Sequence, residues 1–241
     1  AWLHDCGKVA TPPHVVDKGT KLETIFDRIE LIRTRMELLK RDQEIAFLKR
    51  QLNGKSNVPF DDEYNDAIKN LDRDMKFIEE CNVGGEFMNP ELQERVESIG
   101  AQNITLFDRE QSFLSKEEIQ NLNIPKGTLL PEEREIINDH IVITIEMLEQ
   151  LPYPKNLRNV PEFAGGHHEK MDGTGYPKGL NENQMSTQAK IMAIADIYEA
   201  LTAADRPYKE GKKLSQAMRI MGFMKNDYHI DEDLFEIFVT S

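Results

Sequence analysis

The stretch GGHHEKMDGTGYPKGL, residues 165–180, places two adjacent histidines directly before a loop rich in glycine. Gly173 and Gly175 permit backbone conformations that a side chain would disfavour, and Pro177 stiffens the turn after Tyr176. Such a loop fits neither a helix nor a strand, so packing alone does not account for it. The stretch therefore indicates a functional site.

The composition around this stretch is that of an ordinary globular protein. The chain has 241 residues, 39% hydrophobic and 30% charged, which suits one large domain or one and a half. A formal charge of -13 would repel a polyanion, so long nucleic acid is not an expected partner. A small phosphorylated ligand remains acceptable if a metal ion supplies positive charge.

The cysteine content and the two ends bear on localisation. Two cysteines, Cys6 and Cys81, exclude a disulfide framework and favour a reducing cytoplasm. No apolar run approaches the roughly 18 residues that cross a bilayer. The chain opens on AWLHDCGK with a motif already under way, so we expect a cytoplasmic piece of a longer protein, with room upstream for a membrane anchor.

Residues 17–52 have the apolar spacing of one long helix. The seam repeats at three and four residues through Leu22, Ile25, Ile29, Ile32, Met36 and Leu39. NGKSNVP at 53–59 breaks it, and a second seam follows at Tyr64, Ile68, Leu71, Met75 and Ile78. The pattern predicts an antiparallel helical hairpin; the alternative is that both helices lie on the main core.

Three further helices are predicted downstream, and no convincing strand, so the fold class is all-α. SKEE at 115–118 is a capping box for a short helix through Leu122. A helix from Pro131 would bury a face that includes His140 and is formed by Ile136, Ile137, Ile143, Met147, Leu148 and Leu151. A third helix is predicted over 187–203, capped by Ser186.

The last of these helices has two inward stripes. Ordinary core residues form one stripe: Ile191, Ile194, Tyr198 and Leu201. The other stripe surrounds Asp196 with small residues: Ala189, Ala193, Ala200 and Ala203. Small side chains allow a neighbour to approach, which would push the Asp196 carboxylate into the interior, where it needs a partner.

The candidate ligands are imidazoles and carboxylates: His4, Asp5, His140, His167, His168 and Asp196. Each has an ordinary explanation alone, and a single histidine such as His140 is more often a core residue. Together, nitrogen and oxygen donors without a thiolate suit Mn, Fe, Ni or Zn better than Mg or Ca. If His4 and Asp5 lie on a helix they point about 100° apart, so a carboxylate can bridge two metals. The supply fits two or three ions.

Paired metals favour hydrolysis at phosphorus. Two ions about 3.5–4 Å apart turn bound water into hydroxide and clamp the oxygens of an in-line displacement. Lys8 follows His4 by one helical turn and is a candidate phosphate contact, and Arg206 with Lys209 could hold a second phosphate. The alternative for Arg206 and Lys209 is a solvated basic pair.

Four motifs together resemble the HD-GYP family of cyclic-dinucleotide phosphodiesterases, a branch of the HD phosphohydrolase superfamily. They are HDCGK at 4–8, LLPEEREIINDH at 129–140, HHEKMDGTGYPKGL at 167–180 and ADIYEALTAADRPYK at 195–209. The resemblance implies an HD-type helical bundle with two or three metals, often iron or manganese. It also implies hydrolysis of cyclic di-GMP, or of mixed cyclic GMP-AMP, by the output domain of a bacterial signalling protein.

The resemblance also assigns roles to residues. The family's ligand positions match His4, Asp5, His140, His167, His168 and Asp196, with Asp5 bridging. Its phosphate contacts match Lys8, Arg206 and Lys209, and Asp5 with Lys8 are the expected catalytic pair. We expect Glu169 and Asp172 to fix the loop or orient imidazoles. Tyr176 is expected at the substrate, while a signalling protein is the alternative partner for the loop.

Two departures from the family shape the expected domains. More than a hundred residues separate HDCGK from the next motif, so residues 17–128 are expected to be a helical insertion that mediates dimerisation or regulation. The catalytic domain would comprise 1–16 and 129–225, and 226–241 would be a tail. Family members also carry a metal ligand upstream of the HD pair, which is absent here. A weakly active or inactive cyclic-dinucleotide-binding module is therefore the alternative function.

Overall fold

The computed structural model describes residues 2–53, 60–84, 87–203 and 211–240. The chain divides into two compact units: the first unit is Ala1–Asp17 with Pro131–Ser241, and the second unit is Lys18–Leu130. Among the helices of the described residues, none has both the length and the apolar character that crossing a membrane requires.

The elements are mostly helical, which confirms the all-α class. The α-helices are α1 (Pro13–Val16), α2 (Ile29–Leu52), α3 (Phe60–Asn82), α4 (Pro90–Gly100), α5 (Lys116–Leu122), α6 (Pro131–Asn138), α7 (His140–Glu149), α8 (Val160–Gly165), α9 (Thr187–Thr202), α10 (Leu214–Asn226) and α11 (Glu232–Thr240). Short 3-10 helices span Cys6–Ala10, Lys155–Leu157 and Glu182–Gln184.

The expectation of no strand is wrong in one place. Strands β1 (Asn103–Leu106) and β2 (Arg109–Ser112) pair antiparallel, with Asn103 opposite Ser112. They join through Phe107 and Asp108, whose φ angles of 51° and 59° give a tight turn of the kind that hairpins use. Glycine or asparagine usually marks such a turn, so the pair Phe-Asp gives no signal for it in the sequence.

The predicted helical hairpin is formed by α2 and α3, which both lie in the second unit. Ion pairs join Arg33 to Glu79 and Arg50 to Glu63, so the numbering rises along one helix as it falls along the other. This is the antiparallel order. The facing seams share one core with α4, α5 and Phe113, so the hairpin is part of the second unit's core. The predicted capping box of Ser115 and Glu118 is confirmed at α5.

The first third of the predicted helix 17–52 is not helical. Leu22 is fully buried, whereas Ile25 is 96% exposed, so the seam does not continue through this segment. Glu23 accepts hydrogen bonds from the backbone of Gly19 and Thr20. Asp27 accepts one from the backbone of residue 29. Side chains that bond the local backbone in this way compete with a helix, which therefore starts at Ile29.

In the first unit, the helix predicted from Pro131 is two helices that meet at Asp139, and three positions of its predicted face are wrong. The buried residues of α7 are His140, Ile141, Thr144 and Leu148. Ile136, Met147 and Leu151 are exposed. Because α7 is apolar on most sides, periodicity does not reveal which side is buried.

The C-terminal part of the first unit is built around α9. Its predicted span and cap are confirmed, since Ser186 Oγ accepts the backbone N–H of Ala189. Ile194 packs against Met221 of α10 and against Ile230 and Phe235. Segment 226–241 therefore contains α11 and contributes to this core, which corrects the expectation of a tail.

A close backbone contact at Gly7 brings the HDCGK segment, residues 4–8, against α7. The N–H of Gly7 donates to Thr144 Oγ1 at 2.9 Å. A Cβ added at Gly7 would lie 2.0 Å from the carbonyl oxygen of His140 and 2.7 Å from Thr144. Since real Cβ atoms do not approach that closely, only glycine lets the first 3-10 helix lie this near to His140.

We expect Gly7→Ala to lower the free energy of unfolding by about 1–3 kcal/mol, because the added methyl forces backbone segments apart. Urea denaturation measures the change. The matched control is Gly222→Ala in α10, where a Cβ meets nothing within 4 Å. That variant should gain about 0.5–1 kcal/mol, because alanine favours a helix over glycine. A Gly7→Ala protein as stable as wild type would contradict the close contact.

Candidate metal centre

The six expected ligands come from four separate segments of the first unit. Asp5 caps the first 3-10 helix and His4 precedes it in a turn, so these two residues are not on an α-helix as expected. His140 is the first residue of α7. His167 and His168 lie in the turn after α8. Asp196 lies in α9.

These side chains converge. Asp5 Oδ1 lies 3.1 Å from His140 Nε2 and 3.9 Å from His167 Nε2. His4 Nε2 lies 3.3 Å from Asp196 Oδ1 and 3.4 Å from Asp5 Oδ2. Two groups each bring their ligand atoms within 4.8 Å of one another: Asp5, His140, His167 and His168 in one, and His4, His167 and Asp196 in the other. The structure thus places all the expected ligands together.

Backbone carbonyl oxygens contact the Nδ1 atoms of two of the imidazoles, on the side away from the cluster. His140 Nδ1 contacts the carbonyl oxygen of Ile137, and His167 Nδ1 lies 2.5 Å from the carbonyl oxygen of Ala164. A carbonyl can only accept, so each Nδ1 carries the proton and each Nε2 presents a lone pair to the cluster. This is the usual arrangement behind a metal-binding histidine.

The atoms that face the cluster lack partners of their own. Asp5 Oδ1, His140 Nε2 and His167 Nε2 are all buried and have no well-formed hydrogen bond among the described residues. Buried acceptors without a partner are costly, and lone pairs directed at one another make the arrangement worse. A divalent cation would satisfy all three, so the donor set fits a metal ion.

Burial sets the protonation of the histidines. Burial first, and second the repulsion that a protonated His167 would exert, lower the pKa of His168 to about 3. Burial also lowers the pKa of His167, against the opposing effect of its contact with the Ala164 carbonyl. Both imidazoles are therefore neutral at neutral pH, which is the form that binds metals.

The two carboxylates are ionised. Burial alone would raise the pKa of Asp5, but the ammonium of Lys8 at Oδ2 opposes burial and the pKa is held well below its usual range. In the same way, the His4 contact lowers the pKa of Asp196 against the effect of burial. The cluster thus combines the ionised carboxylates of Asp5 and Asp196 with the neutral imidazoles of His167 and His168, which favours a divalent cation.

The expected phosphate contacts are only partly described. Lys8 Nζ lies 2.5 Å from Asp5 Oδ2, and its side chain remains 39% exposed. Its contact with substrate stays a prediction. Arg206 and Lys209 lie outside the described residues, so their expected role is also a prediction.

The carboxylate of Glu169 holds the loop after the histidines, and this residue is only 1% exposed. Its two carboxylate oxygens accept the backbone N–H groups of Lys178 at 2.7 Å and Leu180 at 2.9 Å. A Cβ at Gly175 would lie 2.4 Å from the Glu169 Cα, so the loop folds directly onto this residue. The buried carboxylate therefore determines where the loop lies.

The rest of the loop shows turn geometry. Asp172 is exposed and accepts the backbone N–H of Thr174 at 2.9 Å, and Gly173 has a φ of +79°. The peptide before Pro177 is cis. Burial, followed by the charges of nearby carboxylates, raises the pKa of Tyr176 to about 12, so its hydroxyl stays protonated.

Sequence reasoning missed the glycines that let the helices approach. A Cβ at Gly165 would lie 2.5 Å from the Ile145 side chain, and one at Gly166 would lie 2.8 Å from the Ala189 Cβ. These two contacts hold α8 close to α7 and α9. The pair of glycines directly before the two histidines could have indicated these close helix contacts.

Parts of this chain are similar in sequence to known proteins. Residues 116–234 match the HD domain family. The chain is 30% identical to a cyclic di-GMP phosphodiesterase of Thermotoga maritima, over 85% of the chain and 58% of that relative. It is 41% identical to the 3'3'-cGAMP-specific phosphodiesterase 1 of Vibrio cholerae, over 34% of the chain and 19% of the relative. The chain is 45% identical to a cyclic di-GMP phosphodiesterase of Pseudomonas aeruginosa, over 31% of the chain and 17% of that relative. The chain spans less than two thirds of each of these relatives.

The lowered pKa of His168 predicts acid sensitivity of the metal-free protein. In the unfolded chain a histidine takes up its proton near pH 6.5, whereas folded His168 does so only near pH 3. Acidification through this window therefore favours unfolding. Between pH 7 and pH 5, wild type should lose about 2 kcal/mol more unfolding free energy than His168→Gln does.

Urea denaturation at both pH values, with a chelator present, measures this difference. The matched control is His14→Gln, which changes an exposed histidine of α1 away from the cluster and should behave as wild type. Equal losses for wild type and His168→Gln would contradict a buried neutral His168.

Proposed function

Since the chain belongs to the HD-GYP family of HD-domain proteins, we propose that it is a metal-dependent phosphodiesterase that hydrolyses a cyclic dinucleotide. One observation carries the proposal: buried, unpaired acceptors of Asp5, His140 and His167 face one another. A cluster of this kind has no structural use without a cation, and two metals side by side are a common means of cleaving phosphodiesters.

We propose two or three divalent ions, with Asp5 as the bridging ligand. Asp5 Oδ1 faces His140 and His167, while Oδ2 faces His4 and Lys8, so its two oxygens serve different neighbours. The remaining ligands would be His168 and Asp196. Nitrogen and oxygen donors of this mixture suit Fe or Mn, and Ni or Zn also fit.

When bound, the ions would lower the pKa of a coordinated water and stabilise negative charge on the phosphoryl oxygens. The residues of the chain supply the rest. Ionised Asp5 would hold the ions through its two oxygens, and Lys8, three residues along, places its ammonium at the same carboxylate, where a phosphate oxygen can compete for it. His140 and His167 stay fixed through their carbonyl contacts, so the ligands need not reorganise during the reaction.

The substrate is proposed from charge and from the relatives. The chain carries a formal charge of -13, so a dinucleotide phosphate needs local cations, which the metals, Lys8, Arg206 and Lys209 would provide. Relatives are named for cyclic di-GMP or for 3'3'-cGAMP. We favour cyclic di-GMP, because the relative matched over most of this chain is named for it.

The organisation of the protein is also a proposal. Residues 1–16 with 129–240, α11 included, would be the catalytic domain, residues 17–128 an insertion, and the whole an output domain of a bacterial signalling protein. The hairpin of α2 and α3 is a candidate surface for a homodimer. The exposed side of the glycine loop is a candidate contact for a signalling partner.

The direct test is hydrolysis of cyclic di-GMP by the purified protein loaded with Mn²⁺ or Fe²⁺, with products separated by chromatography. Asp5→Asn should lose at least about 100-fold in rate, because it removes the bridging charge. The matched control, Asp17→Asn, changes an exposed aspartate at the end of α1 and should retain the wild-type rate.

Two results would contradict the proposal. One is wild-type turnover that Asp5→Asn leaves unchanged. The other is tight binding of cyclic di-GMP without any linear product, which would identify the regulatory binding module instead.

A further inference from the structure

His168 is held differently from the other buried histidines of the cluster. His140 and His167 each have Nδ1 against a carbonyl oxygen. Among the described residues, neither ring nitrogen of His168 has a hydrogen-bond partner that would play this part. A metal-binding imidazole is normally oriented by such a partner, so something else must set the plane of the His168 ring.

The ring of Tyr176 lies over one face of the His168 imidazole. It stacks on the His168 imidazole with a centroid separation of 4.8 Å and an interplanar angle of 16°. On other sides, His140 meets His168 edge-on at 5.3 Å and His167 lies tilted at 4.2 Å. The Tyr176 N–H also donates to the His168 carbonyl oxygen at 3.2 Å. The flat contact with Tyr176 is therefore the one that fixes the imidazole plane.

Tyr176 is itself held in place by the loop. Glu169 is buried and its two oxygens accept the N–H groups of Lys178 and Leu180, just beyond Tyr176. Gly175 lies so close to Glu169 that no Cβ fits there. The tyrosine is thus fixed on both sides along the chain, and its ring has little freedom to leave the histidine.

We propose that Tyr176 is a positioning residue, whose ring, held by Glu169 through the loop, sets the orientation of His168 as a metal ligand. The proposal rests on the metal centre of the proposed function. It gives the tyrosine of the loop a task within the metal centre, in addition to the substrate contact expected from the sequence.

Cobalt binding tests the proposal without substrate. Metal-free protein is titrated with Co²⁺, and visible absorption reports both the dissociation constant and the ligand arrangement. Tyr176→Phe keeps the ring and should match wild type in spectrum and within about twofold in affinity. Tyr176→Leu should bind cobalt about 10-fold to 100-fold more weakly, with an altered spectrum, which is the usual loss when the support of a ligand is removed.

A second variant tests the loop's part in this arrangement. Glu169→Gln keeps the tyrosine but replaces one of the two acceptors that hold the loop, so it should weaken cobalt binding as well. If Glu169 acts through Tyr176, the double variant loses no more affinity than Tyr176→Leu alone. Additive losses would overturn the proposed route through the loop.

The controls separate positioning from general damage. Tyr228→Leu alters an exposed tyrosine of the same unit and should leave cobalt binding unchanged. Circular dichroism of each metal-free variant shows whether it is folded. If Tyr176→Leu is unfolded, the cobalt affinities of Tyr176→Phe and Glu169→Gln are compared: weaker binding by Glu169→Gln supports the proposal, and equal binding contradicts it. Wild-type affinity and spectrum in folded Tyr176→Leu would overturn the proposal, as would a Tyr176→Phe as weak as Tyr176→Leu.

These outcomes are distinct from failure of the proposed function. A wild type that binds cobalt and responds to Tyr176→Leu, but hydrolyses no cyclic dinucleotide, would contradict the activity and retain the positioning role. A wild type that binds no cobalt would overturn both.

Discussion

Asp5 Oδ1, His140 Nε2 and His167 Nε2 are buried acceptors that face one another without hydrogen bonds, and this constraint shapes the first unit. Lone pairs directed at one another repel, so the fold needs support to hold these three side chains in place. Backbone carbonyls behind His140 and His167 provide part of it. The helix contacts at glycines provide the rest, because they fix the segments from which the ligands extend. A bound cation would satisfy these acceptors.

The sequence predicted which side chains converge, because each of them lies in a recognisable motif. His4 and Asp196 are 192 residues apart, yet each lies in a short pattern that is informative alone. Helix caps and seams were also predictable, as at Ser115 and at Met36, because they depend on neighbours three or four residues away. The α-helical class and the hairpin follow from such local rules.

What the sequence did not predict depends on tertiary contacts or on local competition. The apolar helix α7 offers several possible faces, and contact with the segment at Gly7 decides which one is buried. Residues before Ile29 bond to their own backbone, which no seam can reveal. The stack of Tyr176 on His168 is likewise invisible in the sequence, since the loop must first fold back on Glu169.

X-ray absorption at the metal edge of zinc-loaded protein tests the central claim most directly, because zinc fits the same donors. The account predicts a nitrogen and oxygen shell at about 2.0–2.2 Å, with outer scattering from several imidazoles. It also predicts a second metal at about 3.5–4 Å. Sulfur scattering at about 2.3 Å, which would place Cys6 or Cys81 at the metal, or a shell without imidazole, would contradict it.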